Sequence, residues 1–238
     1  MRDTDGVNEH LQVIDLPIEF EFNGQVNTIC PSLIVYQDEL ILVDAGYPGF
    51  LDRIEGEMLK KGYSPDRLTQ IIITHYDEDH IGSLYAFKEK HPNIKIIASK
   101  AESRAISGEV KSERLRQAEQ MLEHMTEQDK EFGIWFIGQL KKLKAVPVDI
   151  IVSGGDRLLD GQCEVISTPG HTAGHISLYF PEQKSVVTGD AAVMENEELA
   201  VANPEFCLDI ASAQQSLNLI KTLDANTYYC YHGGVYTR

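Results

Sequence analysis

Two histidines and three carboxylates are crowded between His75 and His80, in the stretch IIITHYDEDHIGS. Imidazole and carboxylate groups together are the ligands of zinc, iron or manganese. On an irregular loop, the side chains able to converge on one point are those of His75, Asp77, Asp79 and His80. Tyr76 and Glu78 alternate with them and are expected to point away. The alternative interpretation is a solvated acidic turn in which one aspartate caps a helix.

Three further loops carry the same kinds of side chain. They are STPGHTAGH at residues 167–175, VTGD at 187–190 and YHGG at 231–234, and each lies at the end of a predicted strand. A solvated turn would account for one such loop, whereas a shared metal site accounts for all four. The sequence therefore favours a metal site.

Short strands alternate with helices along the chain, which indicates an α/β fold. ELILVDAG is an apolar run that stops at Asp44, and QIIIT is a buried strand that ends where the crowded hexad begins. SVVTGDA and TYYCYH repeat this arrangement and end at Asp190 and His232. Ligands bind at the carboxyl ends of strands in open α/β sheets. Two β-helix-β units are therefore expected to present these ends at one edge.

A long helical region is predicted from about Ala101 to Lys144. Its apolar residues near one helical face are Leu122, Met125, Phe132, Trp135, Phe136, Leu140 and Leu143. Core packing is the default for such a stripe. The aromatic members are also candidates for the wall of a pocket, and the region is expected to form a lid or wall over the metals.

Composition limits the classes of protein that fit. The chain of 238 residues, 42% of them hydrophobic, is expected to fold as a single domain over residues 1–238. No apolar run is long enough for a membrane span, and the N-terminal MRDTDGVNEH does not resemble a signal peptide, so a cytoplasmic location is expected. Four scattered cysteines predict reduced thiols.

The net charge of −16 makes nucleic acid an unfavourable partner. The expected partner is a small-molecule substrate. A homo-oligomer is left open.

Taken in order, the motifs resemble those of the metallo-β-lactamase fold superfamily. That family has an aspartate after an early strand, an HxHxDH motif, a later histidine, an aspartate and a final histidine. The resemblance runs from Asp44 to His232. It implies a four-layer αββα sandwich with the metal site at one sheet edge, and here a helical insertion around residues 101–145.

The resemblance also implies a ligand set. One metal would be held by His75, Asp77 and His171, and the other by Asp79, His80 and His232, with Asp190 bridging. Asp44 matches the residue that orders the loops, and His175 is a candidate for orienting a ligand or touching substrate, or for a purely structural role. Thr74 and Thr188 are expected to support the backbone.

Asp77 departs from the family pattern, which usually has histidine at that position. HxDxDH resembles a minority of members, including phosphorylcholine esterases and the hydrolase domain of DNA-uptake channel proteins, while flavodiiron oxygen reductases carry glutamate there. With Asp77, three carboxylates and a bridging hydroxide balance the charge of two divalent ions. Two zinc ions are expected, and this harder site should tolerate manganese or iron better.

The implied activity is metal-assisted hydrolysis, in which a bridging hydroxide attacks a small ester, lactone, thioester or phosphodiester. Asp79 is the predicted catalytic residue, orienting the nucleophile and carrying its proton. The TPGHTAGHISLY segment resembles that of lactonases and glyoxalase II. Two alternatives are a diiron redox protein with a flavodiiron-like site, which the expected lack of a flavin domain disfavours, and a non-catalytic metal-dependent ligand-binding module.

Overall fold

The computed structural model describes residues 10–22 and 24–238. Asn23, within the predicted strand segment FEFNG, and most of MRDTDGVNEH lie outside these residues. The strands of the first half are β1 (Gln12–Asp15), β2 (Ile18–Phe22), β3 (Gln25–Ile29), β4 (Ser32–Tyr36), β5 (Glu39–Val43), β6 (Gln70–Ile73), β7 (Lys95–Ser99) and β8 (Ile150–Val152). Six of them form one sheet in the order β1-β4-β5-β6-β7-β8, and β2 pairs with β3 in a separate hairpin.

A second six-stranded sheet comes from the other half of the chain. The strands there are β9 (Arg157–Leu158), β10 (Cys163–Ser167), β11 (Ile176–Phe180), β12 (Ser185–Gly189), β13 (Val193–Glu195), β14 (Glu198–Ala200), β15 (Thr227–Cys230) and β16 (Gly234–Thr237). Their order is β16-β15-β12-β11-β10-β9, with β13 and β14 forming a small hairpin. The sequence pattern did not indicate β3, this hairpin or β16. The hairpin strands and β16 have only three or four residues, and polar residues interrupt QVNTI in β3.

Seven α-helices accompany the sheets in the described residues. They are α1 (Leu51–Lys60), α2 (Glu78–Ile81), α3 (Leu84–Lys90), α4 (Lys100–Ile106), α5 (Glu113–Leu122), α6 (Glu127–Leu140) and α7 (Ile210–Thr222). The sequence FLDRIEGEMLKKG predicts a helix that closes at Gly62, and Gly62, just beyond α1, has a φ of +88° and donates its N–H to the carbonyl of Leu59. None of these helices is long and apolar enough to cross a membrane.

Buried side chains divide the fold into four layers. Along β6, Ile71 and Ile73 pack with Ile54 of α1 and Phe87 of α3, whereas Ile72 lies in the cluster between the two sheets. On the second sheet, the outer face packs against α7 in a third cluster. Successive side chains of a strand point to opposite faces, so both sheets are covered on both sides. The predicted αββα sandwich is confirmed.

The two halves repeat one arrangement, as the internal echo predicted. β5 pairs in parallel with β6, and β12 pairs in parallel with β15. Asp44 and Asp190 follow the first strand of each pair, while His75 and His232 follow the second. Each half therefore delivers an aspartate and a histidine from neighbouring strand ends.

The helical insertion consists of three separate helices and not one continuous helix. Ser99, Ser112 and Thr126 cap α4, α5 and α6 by accepting hydrogen bonds from backbone N–H groups of the first turn. Leu140 is buried against α5, but Phe132 and Trp135 are 47% and 46% exposed. Core packing was therefore the wrong prediction for these two residues, because α5 covers only one side of α6.

Candidate metal centre

All seven predicted metal ligands meet at one edge of the sandwich. Within three groups, the ligand atoms lie within 4.8 Å of one another, and the groups are His75–Asp77–His171, Asp79–His80–His232 and His75–His80–Asp190. Each residue stands at or just beyond the end of a strand or in the short helix α2. Strand ends from both sheets therefore supply the cluster.

Distances between the ligand atoms are those of groups that share an ion. The Nε2 of His232 lies 3.2 Å from Oδ2 of Asp79, and the Nε2 of His75 lies 3.3 Å from Oδ2 of Asp77. Asp190 spans the two sets, with Oδ2 3.4 Å from Nε2 of His171 and 3.6 Å from Nε2 of His232. Ligands bound to zinc at about 2.0–2.1 Å stand at similar separations.

Several buried atoms of the cluster have no hydrogen-bond partner within the described ranges 10–22 and 24–238. They are the Nε2 atoms of His75 and His80 and the Oδ1 atom of Asp190. An unsatisfied buried polar atom is costly, and a metal ion is one of the groups that can satisfy it. The donor set and these atoms therefore fit a divalent metal ion.

Asp44 has an unusual left-handed backbone conformation, with a φ of +65°, and its side chain holds the loop that carries His75 and His80. Its Oδ1 accepts a hydrogen bond from the N–H of Thr74, and its Oδ2 accepts from the Thr74 hydroxyl and stands 2.9 Å from Nδ1 of His80. With a proton on Nδ1, the Nε2 lone pair of His80 is free for a metal. Asp44 therefore occupies the loop-ordering position that the resemblance assigned to it.

His175 positions the backbone that carries Asp190. Its Nε2 accepts from the N–H of Asp190 at 2.9 Å, and its Nδ1 lies 2.8 Å from the hydroxyl of Thr168. Burial and the neighbouring His75 and His171 hold the pKa of His175 well below its usual value, so the ring is neutral. At Gly189, a Cβ would come within 2.7 Å of the same Nε2 atom. Both ring nitrogens of His175 are thus used inside the fold, with neither directed at substrate.

Arg114 is a part of the centre that sequence reasoning missed. Its Nε and Nη2 donate to Oδ1 and Oδ2 of Asp77 at 2.9 and 2.6 Å, and its side chain is 1% exposed. Burial raises the pKa of Asp77, but the Arg114 charge, together with His75 and the hydrogen bond to His171, outweighs burial and holds that pKa well below its usual value. Arginine in a helix that is far from the loops along the chain carries no local signal of this contact.

Glu102 is a second buried residue that the sequence did not reveal. Its Oε1 accepts from the hydroxyl of Thr172 at 2.7 Å and the N–H of Gly174 at 3.0 Å, and its Oε2 accepts from the N–H of Tyr76 at 2.9 Å. Burial raises the pKa of Glu102 to about 7. Glu102 therefore ties the loop carrying His171 to the loop carrying the hexad.

Glu102→Gln is expected to lower the free energy of unfolding by about 1–3 kcal/mol, because the amide NH₂ would face a backbone or hydroxyl donor and leave it unpaired. Chemical denaturation measures this change. Glu109→Gln, at an exposed position, is the matched control and should stay within about 0.5 kcal/mol of the wild type. Equal losses for both variants would contradict the role of Glu102 in joining the loops.

A cavity of about 440 Å³ opens onto the cluster. Besides the metal ligands, its lining includes Asn27, Tyr47, Glu78, Phe136, Val193, Glu195, Asn203 and Phe206. Glu78 belongs to none of the three ligand groups, but it borders this cavity. Tyr76 lies in a separate cavity beside Arg114. The hydroxyl of Tyr231 holds the backbone of this loop by donating to the carbonyl of Asp79 at 2.5 Å.

The fold and the cluster define a metal-binding α/β protein of the kind that the sequence motifs resemble. Residues 29–232 match the profile of the metallo-beta-lactamase superfamily, and the chain belongs to that family. Among curated proteins, a hydroxyacylglutathione hydrolase from Brucella ovis is 50% identical over 62 residues, which are 25% of this chain and 24% of that protein. One from Brucella suis matches to the same extent. The match thus spans about a quarter of these relatives.

Solved structures share the fold at low sequence identity. A metallo-beta-lactamase family protein from Thermus thermophilus superposes with a TM-score of 0.69 at 20% identity, covering 94% of this chain and 74% of that one. A beta-lactamase from Chitinophaga pinensis has a TM-score of 0.63 at 16% identity, covering 98% and 82%. These likenesses support the architecture of the sandwich.

Proposed function

We propose that the chain is a metal-dependent hydrolase of a carboxylic ester, lactone or thioester. The observation that carries this proposal is the convergence of seven histidine and aspartate side chains, three of which hold buried atoms without a partner among the described residues. Zinc is the proposed metal, because imidazole and carboxylate suit it and the cluster is largely buried.

Asp79, His80, Asp190 and His232 would hold a divalent ion. When bound, such an ion supplies a hydroxide nucleophile near neutral pH and polarises a carbonyl oxygen. Asp79 lines the cavity, and its backbone is held by Tyr231. We assign to the Asp79 carboxylate the orientation of the nucleophile and the transfer of its proton.

The substrate class follows from an aromatic groove that continues from the metal cavity. This groove, of about 420 Å³, is lined mainly by Phe20, Phe22, Phe132, Trp135, Phe136 and Phe206. It shares Tyr47, Glu78, Phe136 and Phe206 with the metal cavity. One wall comes from the β2–β3 hairpin and the other from α6. The ring of Phe22 in β2 and the ring of Trp135 in α6 lie 5.9 Å apart between centroids.

Exposed aromatic side chains beside a metal centre favour a substrate with an apolar acyl group. Phe22 is 42% exposed, and Phe132 and Trp135 are exposed to a similar degree. Phosphodiesters are disfavoured, because Glu195 adds negative charge to the cavity. The likeness of 25% of this chain to hydroxyacylglutathione hydrolases, whose substrate is an acyl thioester of glutathione, adds acyl thioesters to the candidates.

A substrate panel tests this proposal. The zinc-loaded protein is expected to hydrolyse p-nitrophenyl esters with kcat/KM rising from acetyl to decanoyl, and a chelator should abolish the rate until zinc is restored. Acyl thioesters, lactones and bis(p-nitrophenyl) phosphate complete the panel. A preference for the phosphodiester, or no turnover of any member by protein with bound zinc, would overturn the proposal.

Trp135 reports on the aromatic groove directly, because it is the single tryptophan of the chain. Decanoate is expected to shift its fluorescence with saturation, whereas acetate should not, since only the longer chain reaches past the metal cavity. Phe132→Ala should weaken the decanoate response, and Leu59→Ala, at an exposed apolar position on α1, should not. An identical response to both carboxylates would contradict a groove for acyl chains.

A further inference from the structure

All five N–H groups of the Arg114 guanidinium have an acceptor nearby. Nε and one N–H of Nη2 donate to the two oxygens of Asp77, and Nη1 donates to the side-chain oxygen of Gln117 and to the carbonyl of Phe206 at 2.5 Å. The remaining N–H of Nη2 lies beside Nε2 of His171, at 3.3 Å between the nitrogens. The guanidinium therefore sits within one of the two predicted ligand sets.

The two ligand sets differ in how far the protein itself satisfies them. In the first set, Asp77 already has a bidentate cation, and Nε2 of His171 is also 3.0 Å from Oδ2 of Asp77. That nitrogen is therefore committed, either accepting from Arg114 or donating to Asp77. Only Nε2 of His75 in the first set has no hydrogen-bond partner in the described residues, and it stands 3.3 Å from Oδ2 of Asp77. In the second set and its bridge, both Nε2 of His80 and Oδ1 of Asp190 have none. The first set does not fit a metal ion as well as the second.

Charge leads to the same conclusion. The three carboxylate ligands, Asp77, Asp79 and Asp190, bring three negative charges to the metal positions, and Arg114 removes one of them. One divalent ion balances the remaining two. A second ion at Asp77 and His171 would stand beside the guanidinium in a region of low dielectric, where repulsion between cations is strong.

We propose that the guanidinium of Arg114 takes the place of one metal ion, so that the chain binds a single divalent ion tightly, at Asp79, His80, Asp190 and His232. The proposal accounts for the unusual residue at position 77. The two oxygens of a carboxylate accept two parallel N–H bonds from one edge of a guanidinium, whereas the histidine usual in the family has no second acceptor to offer. The inference holds whether or not the chain hydrolyses the proposed substrates.

Zinc titration of the metal-free wild-type protein tests the proposal without any assay of activity. Calorimetry, with elemental analysis of the dialysed protein, is expected to give one tightly bound zinc per chain, with any second ion bound at least about 100-fold more weakly. Two zinc ions per chain of comparable affinity would overturn the proposal, and this result needs no variant to fold.

Variants of α5 then identify the cause. Arg114→Met is expected to bring the second zinc to within about 10-fold of the first, because Asp77 and His171 are released. Arg114→Lys keeps a positive charge and should still bind one ion tightly. Arg116→Met is the matched control, since Arg116 is exposed on the same helix. A second site that stays equally weak in folded Arg114→Met would contradict the role assigned to Arg114.

Discussion

Asp79→Asn is expected to lower kcat/KM for the preferred ester by about 10²- to 10⁴-fold, the range typical of a positioned acid–base group. Asparagine keeps the shape of the side chain but loses the negative charge that faces Nε2 of His232 at 3.2 Å. Initial rates should be measured together with the zinc content of each sample, since Asp79 also belongs to a ligand set. The prediction concerns the rate per bound zinc ion.

Glu78→Gln is the matched control for this substitution. Glu78 is the adjacent carboxylate, it lines the same cavity and it belongs to neither predicted ligand set. Its replacement should change kcat/KM far less than the change at Asp79. If Asp79→Asn keeps both its zinc and the wild-type rate, the assigned role is wrong, and a non-catalytic metal-dependent binding module becomes the better interpretation.

Zinc is expected to raise the free energy of unfolding of the metal-free protein by about 4 kcal/mol when free zinc exceeds its Kd about 1,000-fold. The physical reason is that the ion satisfies buried atoms such as Nε2 of His80 and Oδ1 of Asp190, which lack partners in the described residues. Denaturant unfolding in the presence of zinc or of a chelator measures the difference. Equal midpoints in the two conditions would contradict a built metal site.

The same binding should strengthen as pH rises. Burial lowers the pKa of His232, but Asp190 and Asp79 outweigh this and raise it to about 10 in the metal-free protein. Zinc must therefore displace a proton, and its affinity falls at lower pH. His232→Gln should lose most of the stabilisation by zinc, whereas His124→Gln, at an exposed position outside the cluster, should retain it.

The sequence by itself determined the alternation of strands and helices and the ligand loops, and the resemblance of its motifs to a known family implied the four-layer sandwich. Apolar runs such as QIIIT end just before residues of the predicted metal site. Hydrophobic periodicity of this kind is a local signal that a single sequence contains. The repeated β-helix-β pattern placed Asp44, His75, Asp190 and His232 at neighbouring strand ends, because parallel strands present their carboxyl ends at the same edge. These features depend on short-range order, so they survive in a single sequence.

Only the tertiary structure decided which charges meet in the centre and what borders it. Arg114 lies 37 residues from Asp77, and Glu102 lies 70 residues from Thr172, so neither contact leaves a local pattern. The spacing of Phe132 and Trp135 suggested a core stripe, yet α6 is covered on one side only, and the other side became the wall of the aromatic groove. Long-range packing selects such partners among many chemically equivalent residues, and composition and periodicity do not distinguish between them.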